Sequence, residues 1–420
     1  MGGVTTCISE LYETKRRSGA LNLNSTGLTM LLDWGMTIDG YTIANDVFVL
    51  HPGNYLIYED GCLKEKNFYS IRTDKVVLSS EDDYVEMLDE AYREAIRRQF
   101  SKDDEYGYKI IATLSGGMDS RMTVWVSHEL GWSKQLNVTF SNSGWYDETT
   151  ARKVSLDLRH EWLFKRLEDA NFLADIDRSI EKNGGNRTYI GEAHSSSLMH
   201  LIDFDGAGYG ILHTGSQGGQ IRGYTTSDGS VNKGGNIYLE YLRSHEILPR
   251  MDYSNVEAAT IINRDGFIYE VNSMSPLWEL DFFEKTLQVP TQIINDGKIY
   301  IKWVRTKYPE MNKYVWATTG APYGSKSFNP FIKPCGCYFR QLPKYIRYKL
   351  GKGGFAMNPW RYFVQMNKGL LPLFNTYSEY CDAVTDDTLR KQISSFLVSE
   401  DVSKKFKAVS VLSAIKQFFI

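Results

Sequence analysis

Long apolar runs are missing from this 420-residue chain. No stretch approaches the roughly 18 consecutive apolar residues of a membrane-spanning helix, so no span is expected. Cysteine is scarce. The five present (Cys7, Cys62, Cys335, Cys337, Cys381) are too few and too scattered for a disulfide framework. A reducing, cytoplasmic setting fits that usage. The polar N-terminus has no apolar segment of the signal-peptide kind, so no secretory leader is expected. A large charge of either sign is also missing. The net charge of −3 gives no overall pull toward nucleic acid. Repeats and low-complexity tracts are absent. What remains is an ordinary globular composition, 42% hydrophobic, with length for two or three domains and a sizeable core.

The most informative stretch runs from Tyr108 to Leu130. It opens with a short apolar run of strand length and closes with Met122, Val124, Val126 and Leu130 at helical spacing. Between them lies Ser115-Gly116-Gly117-Met118-Asp119-Ser120. A Gly-Gly turn between a buried strand and a helix start aims main-chain N–H groups and the positive helix end at one point, which suits an anion. Ser115 and Ser120 offer hydroxyl donors. Asp119 would repel a phosphate unless a cation lay between them, so its presence implies Mg²⁺. No Lys follows the glycines, which excludes a Walker-type loop. The alternative is an ordinary βα turn with a glycine-rich bend.

Along the chain, Asn24 or Ser25 caps a short helix at 26–32. Residues 47–64 read as two strands with turns at Pro52-Gly53 and Asp60-Gly61. Ser80 opens a capping box, and Tyr84, Leu88, Ala91, Tyr92, Ala95 and Ile96 share one helix face. Arg93, Arg97 and Arg98 read as a solvated face, and 101–107 as a polar linker. Leu136 to Ser141 is a second strand. A helix begins at Asp147-Glu148 and runs to about Leu158, its two acids read as structural at the helix start. Strand and helix alternate from here, which argues for a parallel sheet with helices on both faces and ligands at the strands' carboxyl ends. Leu114 and Phe140 then end two strands and border the ligand. Ile211 to Tyr224 repeats the pattern of a strand followed by a glycine-rich turn, with Thr214-Gly215 at its start.

Ser115–Ser120 resembles the pyrophosphatase loop of the N-type ATP pyrophosphatases. With Ser275–Pro290 and, in part, Thr214–Tyr224, it makes residues 35–325 similar to asparagine synthetases. The resemblance implies an α/β, doubly wound parallel sheet of the adenine nucleotide α-hydrolase-like kind. It also implies ATP and Mg²⁺. ATP would contact Leu114, Ser115, Gly116, Gly117, Asp119, Ser120, Phe140, Thr214 and Gly215, with Asp119 as metal ligand and catalytic residue. The family's second-loop acids do not match, because Gly219, Gln220 and Ser216 occupy their places. Thr318 stands where the family has a catalytic Lys, and Lys313 or Lys326 is the nearby substitute. Asp281 is expected to cap the helix before Pro290. Residues 1–75 resemble only the end of a glutaminase domain. Residue 2 is Gly and Cys7 is internal, so no glutamine hydrolysis is expected.

The expected organisation is therefore a β remnant at 1–75, an ATP-pyrophosphatase domain at 76–325 and a helical extension at 326–420. Residues 326–368 contain no Asp or Glu and interleave Lys and Arg with aromatics. Such a stretch suits anionic lipid headgroups, a linked sugar or RNA, or else an arm packed on the sheet domain. Cys335 and Cys337 lack a second pair, so no zinc site is expected. Three functions follow as expectations. The first is an amidotransferase-like ligase that adenylates a small-molecule or sugar carboxylate and passes it to ammonia, free or from a separate glutaminase, or to an amine. The second is a silent ATP-binding or scaffold relative. The third is a tRNA-modifying enzyme.

Overall fold

The computed structural model describes residues 4–72, 74–202, 206–216, 218, 219, 221, 233–251, 273–294, 297–323, 342, 346 and 358–420. Near the N-terminus, helices α1 (Ile8–Arg17) and α2 (Ser25–Trp34) precede an antiparallel hairpin, β1 (Asn54–Glu59) and β2 (Cys62–Asn67). The Asn24 side chain caps α2 by accepting from the N–H groups of Thr26 and Gly27, at 3.1 and 3.3 Å. The hairpin turns at Asp60-Gly61, both with positive φ, as the sequence predicts.

A long helix, α3 (Glu81–Tyr106), leads into the main sheet. Its capping box forms as expected: Asp83 N–H donates to Ser80 Oγ at 3.2 Å, and Ser80 N–H to Asp83 Oδ2 at 2.9 Å. The expected linker at 101–107 is the last turn of this helix. Asp103 is the cause, because it is buried there and lies 2.6 Å from His213 Nε2. A contact 110 residues away thus outweighs local polarity. Arg98, expected to be solvated, meets Glu279 at 2.6 Å and Asp281 at 2.5 Å.

Five parallel strands form the sheet: β3 (Lys109–Thr113), β4 (Gln135–Ser141), β5 (Glu161–Arg166), β6 (Tyr209–His213) and β7 (Ser273–Met274). Their spatial order is β5-β4-β3-β6-β7, and every pairing is parallel. The connecting helices include α4 (Asp119–Glu129), α5 (Tyr146–Leu158), α6 (Ile176–Asn183) and α7 (Ile190–Leu201). The central strand is covered on both faces. Ile110 and Ala112 join a core with α3, α4 and α5, whereas Ile111 packs with Leu198 and Met199 of α7. Helices on both faces explain why β3 reads as a continuous apolar run. From β3 the chain builds outward through β4 to β5, then returns to add β6 and β7 on the other side. The direction reverses between β3 and β6, and crevices at the carboxyl ends of such strands are where open α/β sheets hold ligands.

One expectation needs correction. Glu279, not Asp281, caps the helix Leu280–Gln288, accepting from Asp281 N–H at 3.0 Å and Phe282 N–H at 3.3 Å. One apolar cluster draws on residues from both ends of the chain. Tyr12, Leu28, Leu31 and Ile43 share one apolar cluster with Leu173, Ile180, Phe363, Ile393, Phe406 and Phe418. The first 75 residues therefore supply two helices to a core closed by the C-terminal helices, and among the described residues their β structure is the hairpin and isolated bridges such as Leu23–Ala44 and Tyr41–Phe48. Residues 385–420, expected to be helical, form Asp387–Val398 and Val402–Ala414, capped by Asp386 and Asp401. Most of the basic, aromatic stretch 326–368 lies outside the described residues. Its described end packs inward: Trp360 and Phe363 lie 6.4 and 5.5 Å from the Phe172 ring. Among the described residues, no helix is long and apolar enough to cross a membrane.

Candidate functional site

Ser115–Ser120 leaves the carboxyl end of β3 and enters α4 at Asp119. Internal bonds hold this loop. Ser115 N–H donates to Ser120 Oγ at 3.1 Å, and Gly117 N–H to Ser115 Oγ at 3.0 Å. The two hydroxyls lie 2.9 Å apart. Ser115 and Ser120, expected as donors to a ligand, thus also brace the loop. Gly116 N–H points away from the mouth, to Asp147 Oδ1 at 2.9 Å. That bond gives Asp147 the structural role its sequence position suggests, while Glu148 accepts from Gly144 N–H. A Cβ on Gly116 would lie 2.8 Å from both Ala317 Cβ and Tyr146 O, so the segment after Val315 clamps the loop from behind. Arg121 reinforces the clamp by donating from Nη2 to Gly116 O at 3.2 Å and Val315 O at 2.8 Å. It is fully buried, and burial pushes its guanidinium down to about 10.

The second glycine-rich turn arrives from β6 and lies directly on the start of α4. A Cβ on Gly215 would sit 2.0 Å from Ser120 N, and one on Gly218 would sit 2.3 Å from Asp119 Oδ2. Only glycine permits this approach. Thr123 Oγ1 donates to Thr214 O at 3.1 Å and ties the two loops together. Asp119, half-buried at their junction, accepts from the Tyr300 hydroxyl at 2.8 Å. No sequence signal marked Tyr300, which comes from the helix Lys298–Lys307.

The loops open onto a cavity of about 300 Å³. Leu114, Ser115, Gly117, Asp119, Ser120, Thr214 and Gly215 line one side, while Gly116 packs behind. Val138, Phe140, Met199 and Leu212 form an apolar wall. Lys182, His194, Ser195 and Ser196 from α6 and α7 also line it. Sequence reasoning missed these four. The one available signal was His194 followed by three serines on the helix before the second glycine turn. No family model matches the chain, and no curated protein matches it.

His194 is 7% exposed. Its ring stacks on Phe140 at 5.1 Å and 14°, and on Phe172 at 4.4 Å and 26°. Burial pushes its imidazole down to about 4, so it is neutral at physiological pH. Asn358 is the ring's hydrogen-bonding neighbour, and the Ser196 Oγ is buried with no hydrogen-bond partner.

Lys313, the expected catalytic cation, is placed elsewhere. Its Nζ lies 3.3 Å from Asp157 Oδ2 and 5.1 Å from the centre of the Tyr314 ring. It is not among the lining residues, because the 3₁₀ turn Pro309–Lys313 is fixed by buried Met311 and points its last residue at the end of α5. Among the described lining residues the cation is Lys182. Lys326 and Gln220 lie outside the described residues.

The site fits a nucleotide triphosphate in two respects. A helix start flanked by two glycine turns suits phosphate, and an apolar wall beyond it suits a base. For Mg²⁺ the donor set is lean. Among the described residues no three His, Cys, Asp or Glu side chains converge. Asp119 would hold the ion together with phosphate oxygens and water, a usual arrangement for Mg²⁺.

Proposed function

We propose that this chain is an ATP-dependent carbon–nitrogen ligase of the asparagine synthetase kind, which adenylates a carboxylate and passes it to an amine or ammonia. One observation carries the reading: two glycine turns, from β3 and β6, meet at Asp119 where the sheet reverses direction. In this reading the triphosphate lies along the α4 start, and the base lies toward Leu114 and Phe140. A carboxylate oxygen attacks the α-phosphorus, the bond to the β-phosphate oxygen breaks, and pyrophosphate leaves. The nitrogen lone pair then attacks the acyl carbon, AMP leaves, and the nitrogen gives up a proton. Mg²⁺, when bound, neutralises phosphate charge. Lys182 takes the place foreseen for Lys313, as a preorganised cation facing developing negative charge.

A second reading, a silent nucleotide-binding or scaffold relative, is favoured by one specific feature. The N–H groups of Ser115, Gly116 and Gly117 already have acceptors within the protein. Carboxylate-driven exchange of labelled pyrophosphate into ATP separates the two. The ligase reading expects exchange with at least one acid from a panel of amino and sugar acids, and its loss in Asp119→Asn. Tight Mg-ATP binding by calorimetry with no exchange for any acid would leave the scaffold reading standing.

A further inference from the structure

Arg121 carries a charge that the folded chain leaves unanswered. It is the third residue of α4 and is fully buried behind the glycine loop. Nη2 donates to Gly116 O and Val315 O, while Nε and Nη1 have no hydrogen-bond partner. Every acceptor it has is therefore a neutral carbonyl. Tyr300, Tyr314 and Tyr323 face it, and the Tyr314 ring centre lies 5.8 Å from Cζ. The acids of the same region are engaged elsewhere: Asp119 by the Tyr300 hydroxyl, Asp147 by Gly116 N–H and Asp157 by the Tyr314 hydroxyl. Burial lowers the guanidinium only to about 10, so it stays charged at neutral pH. Burying an unpaired charge is costly, and unmet groups of this kind gather at functional sites. The carbonyl that Arg121 grips belongs to the same peptide as Gly117 N–H. That N–H donates to Ser115 Oγ at 3.0 Å, and Ser120 Oγ accepts from Ser115 N–H at 3.1 Å. The contact between the two hydroxyls uses one of their two hydrogens. The other is unspent, and both serines line the cavity. A cation on the carbonyl polarises the peptide, and the chain of bonds carries that polarisation to the free hydroxyl hydrogen.

We propose that Arg121 is a positioning residue for the phosphates. From behind the loop its charge answers that of the bound triphosphate, acting through the Gly116–Gly117 peptide and the paired hydroxyls of Ser115 and Ser120. The inference rests on the nucleotide reading above and adds the positive charge that a loop without Lys otherwise lacks. It also gives a use to the N–H groups of Ser115 and Gly117, which are spent on hydroxyl oxygens. The donor offered to phosphate is then an O–H polarised from behind. At the effective dielectric of a protein interior, one charge facing another across about 10 Å is worth about tenfold in affinity.

Calorimetric titration of the full chain with Mg-ATP, Mg-tripolyphosphate and adenosine tests this in the wild type, Arg121→Gln and Arg121→Lys. Glutamine keeps a donor for Gly116 O and removes the charge; lysine keeps the charge and removes the fork. Glutamine is expected to weaken Mg-ATP and Mg-tripolyphosphate by about tenfold and leave adenosine unchanged. Lysine should hold both phosphate ligands within about threefold of the wild type. A residue that only kept the loop in shape would lower adenosine along with the phosphates. That result, or wild-type affinity for Mg-ATP in Arg121→Gln, overturns the inference and leaves the nucleotide reading intact. Should the glutamine variant not fold, lysine decides: a loss of tripolyphosphate of about tenfold or more overturns the inference. A wild type that binds neither Mg-ATP nor adenosine overturns the nucleotide reading itself and takes this inference with it.

Discussion

Replacing His194 by Phe makes a quantitative prediction about stability. In the folded chain burial holds this imidazole down at about 4, whereas an unfolded histidine titrates near pH 6.5. The sign follows from which state takes the proton first. As pH falls below about 6.5, the unfolded chain is protonated at this residue while the folded chain is not, so stability drops. The loss is complete once pH passes the folded value of about 4. Across the whole window it amounts to about 3 kcal/mol, and at about pH 5 to roughly 2 kcal/mol. Phenylalanine removes this loss because it cannot be protonated. It also removes the ring's hydrogen bond with Asn358, so the variant should be less stable than the wild type at neutral pH by about 1 kcal/mol. Urea unfolding at about pH 7.5 and about pH 5 reads both quantities. His160 is also pushed down to about 4, by burial and by neighbouring His128. The wild type therefore declines through more than one group, and the informative quantity is the difference in slope between the two proteins. Equal slopes would refute the reasoning, because they would mean His194 is protonated alike in both states.

Other substitutions test the loop geometry. Gly215→Ala places a Cβ 2.0 Å from Ser120 N; it should destabilise by about 1–3 kcal/mol in thermal unfolding and abolish nucleotide binding through a displaced α4 start. Tyr300→Phe removes the 2.8 Å bond to Asp119; it should weaken Mg-ATP binding by about tenfold while changing the melting temperature little. Lys182→Met should lower exchange, whereas Lys313→Ala, which breaks a half-exposed pair with Asp157, should leave exchange intact and cost under about 1 kcal/mol.

Local chemistry made part of this legible in advance. The strand, glycine turn and helix at 108–130 follow from periodicity and two adjacent glycines. The start of α3 follows from Ser80 and Asp83 three residues apart, and the parallel sheet from the alternation of elements. What escaped depends on distance along the chain. Tyr300 reaches Asp119 across 181 residues, and nothing near Tyr300 marks it as more than one aromatic on an amphipathic helix. His194 reads as a helical residue until α7 packs behind β3 and turns it to the cavity. The shared core of 12–47 with 363–418 was hidden for the same reason, since each helix shows an apolar face but not the face it meets. Lys313 misled because nearness in sequence to Thr318 stood in for nearness to the site.

The junction at Asp119 also bears on the metal. No side chain fits at Gly218 beside Asp119, since even a Cβ there approaches within 2.3 Å of Oδ2, and the resemblance would put its second acid at Gly219 instead. With no acid in that turn to face it, Asp119 needs no cation for the two turns to close, and the Tyr300 hydroxyl serves the carboxylate at 2.8 Å. The fold should therefore not depend on Mg²⁺ until phosphates add their oxygens. In a melting experiment, Mg²⁺ alone should stabilise by under about 1 kcal/mol, and ATP with Mg²⁺ by clearly more than ATP with a chelator. A large rise in melting temperature with Mg²⁺ alone would mean that further acids reach the ion, and that Asp119 is not the lean ligand its surroundings make it.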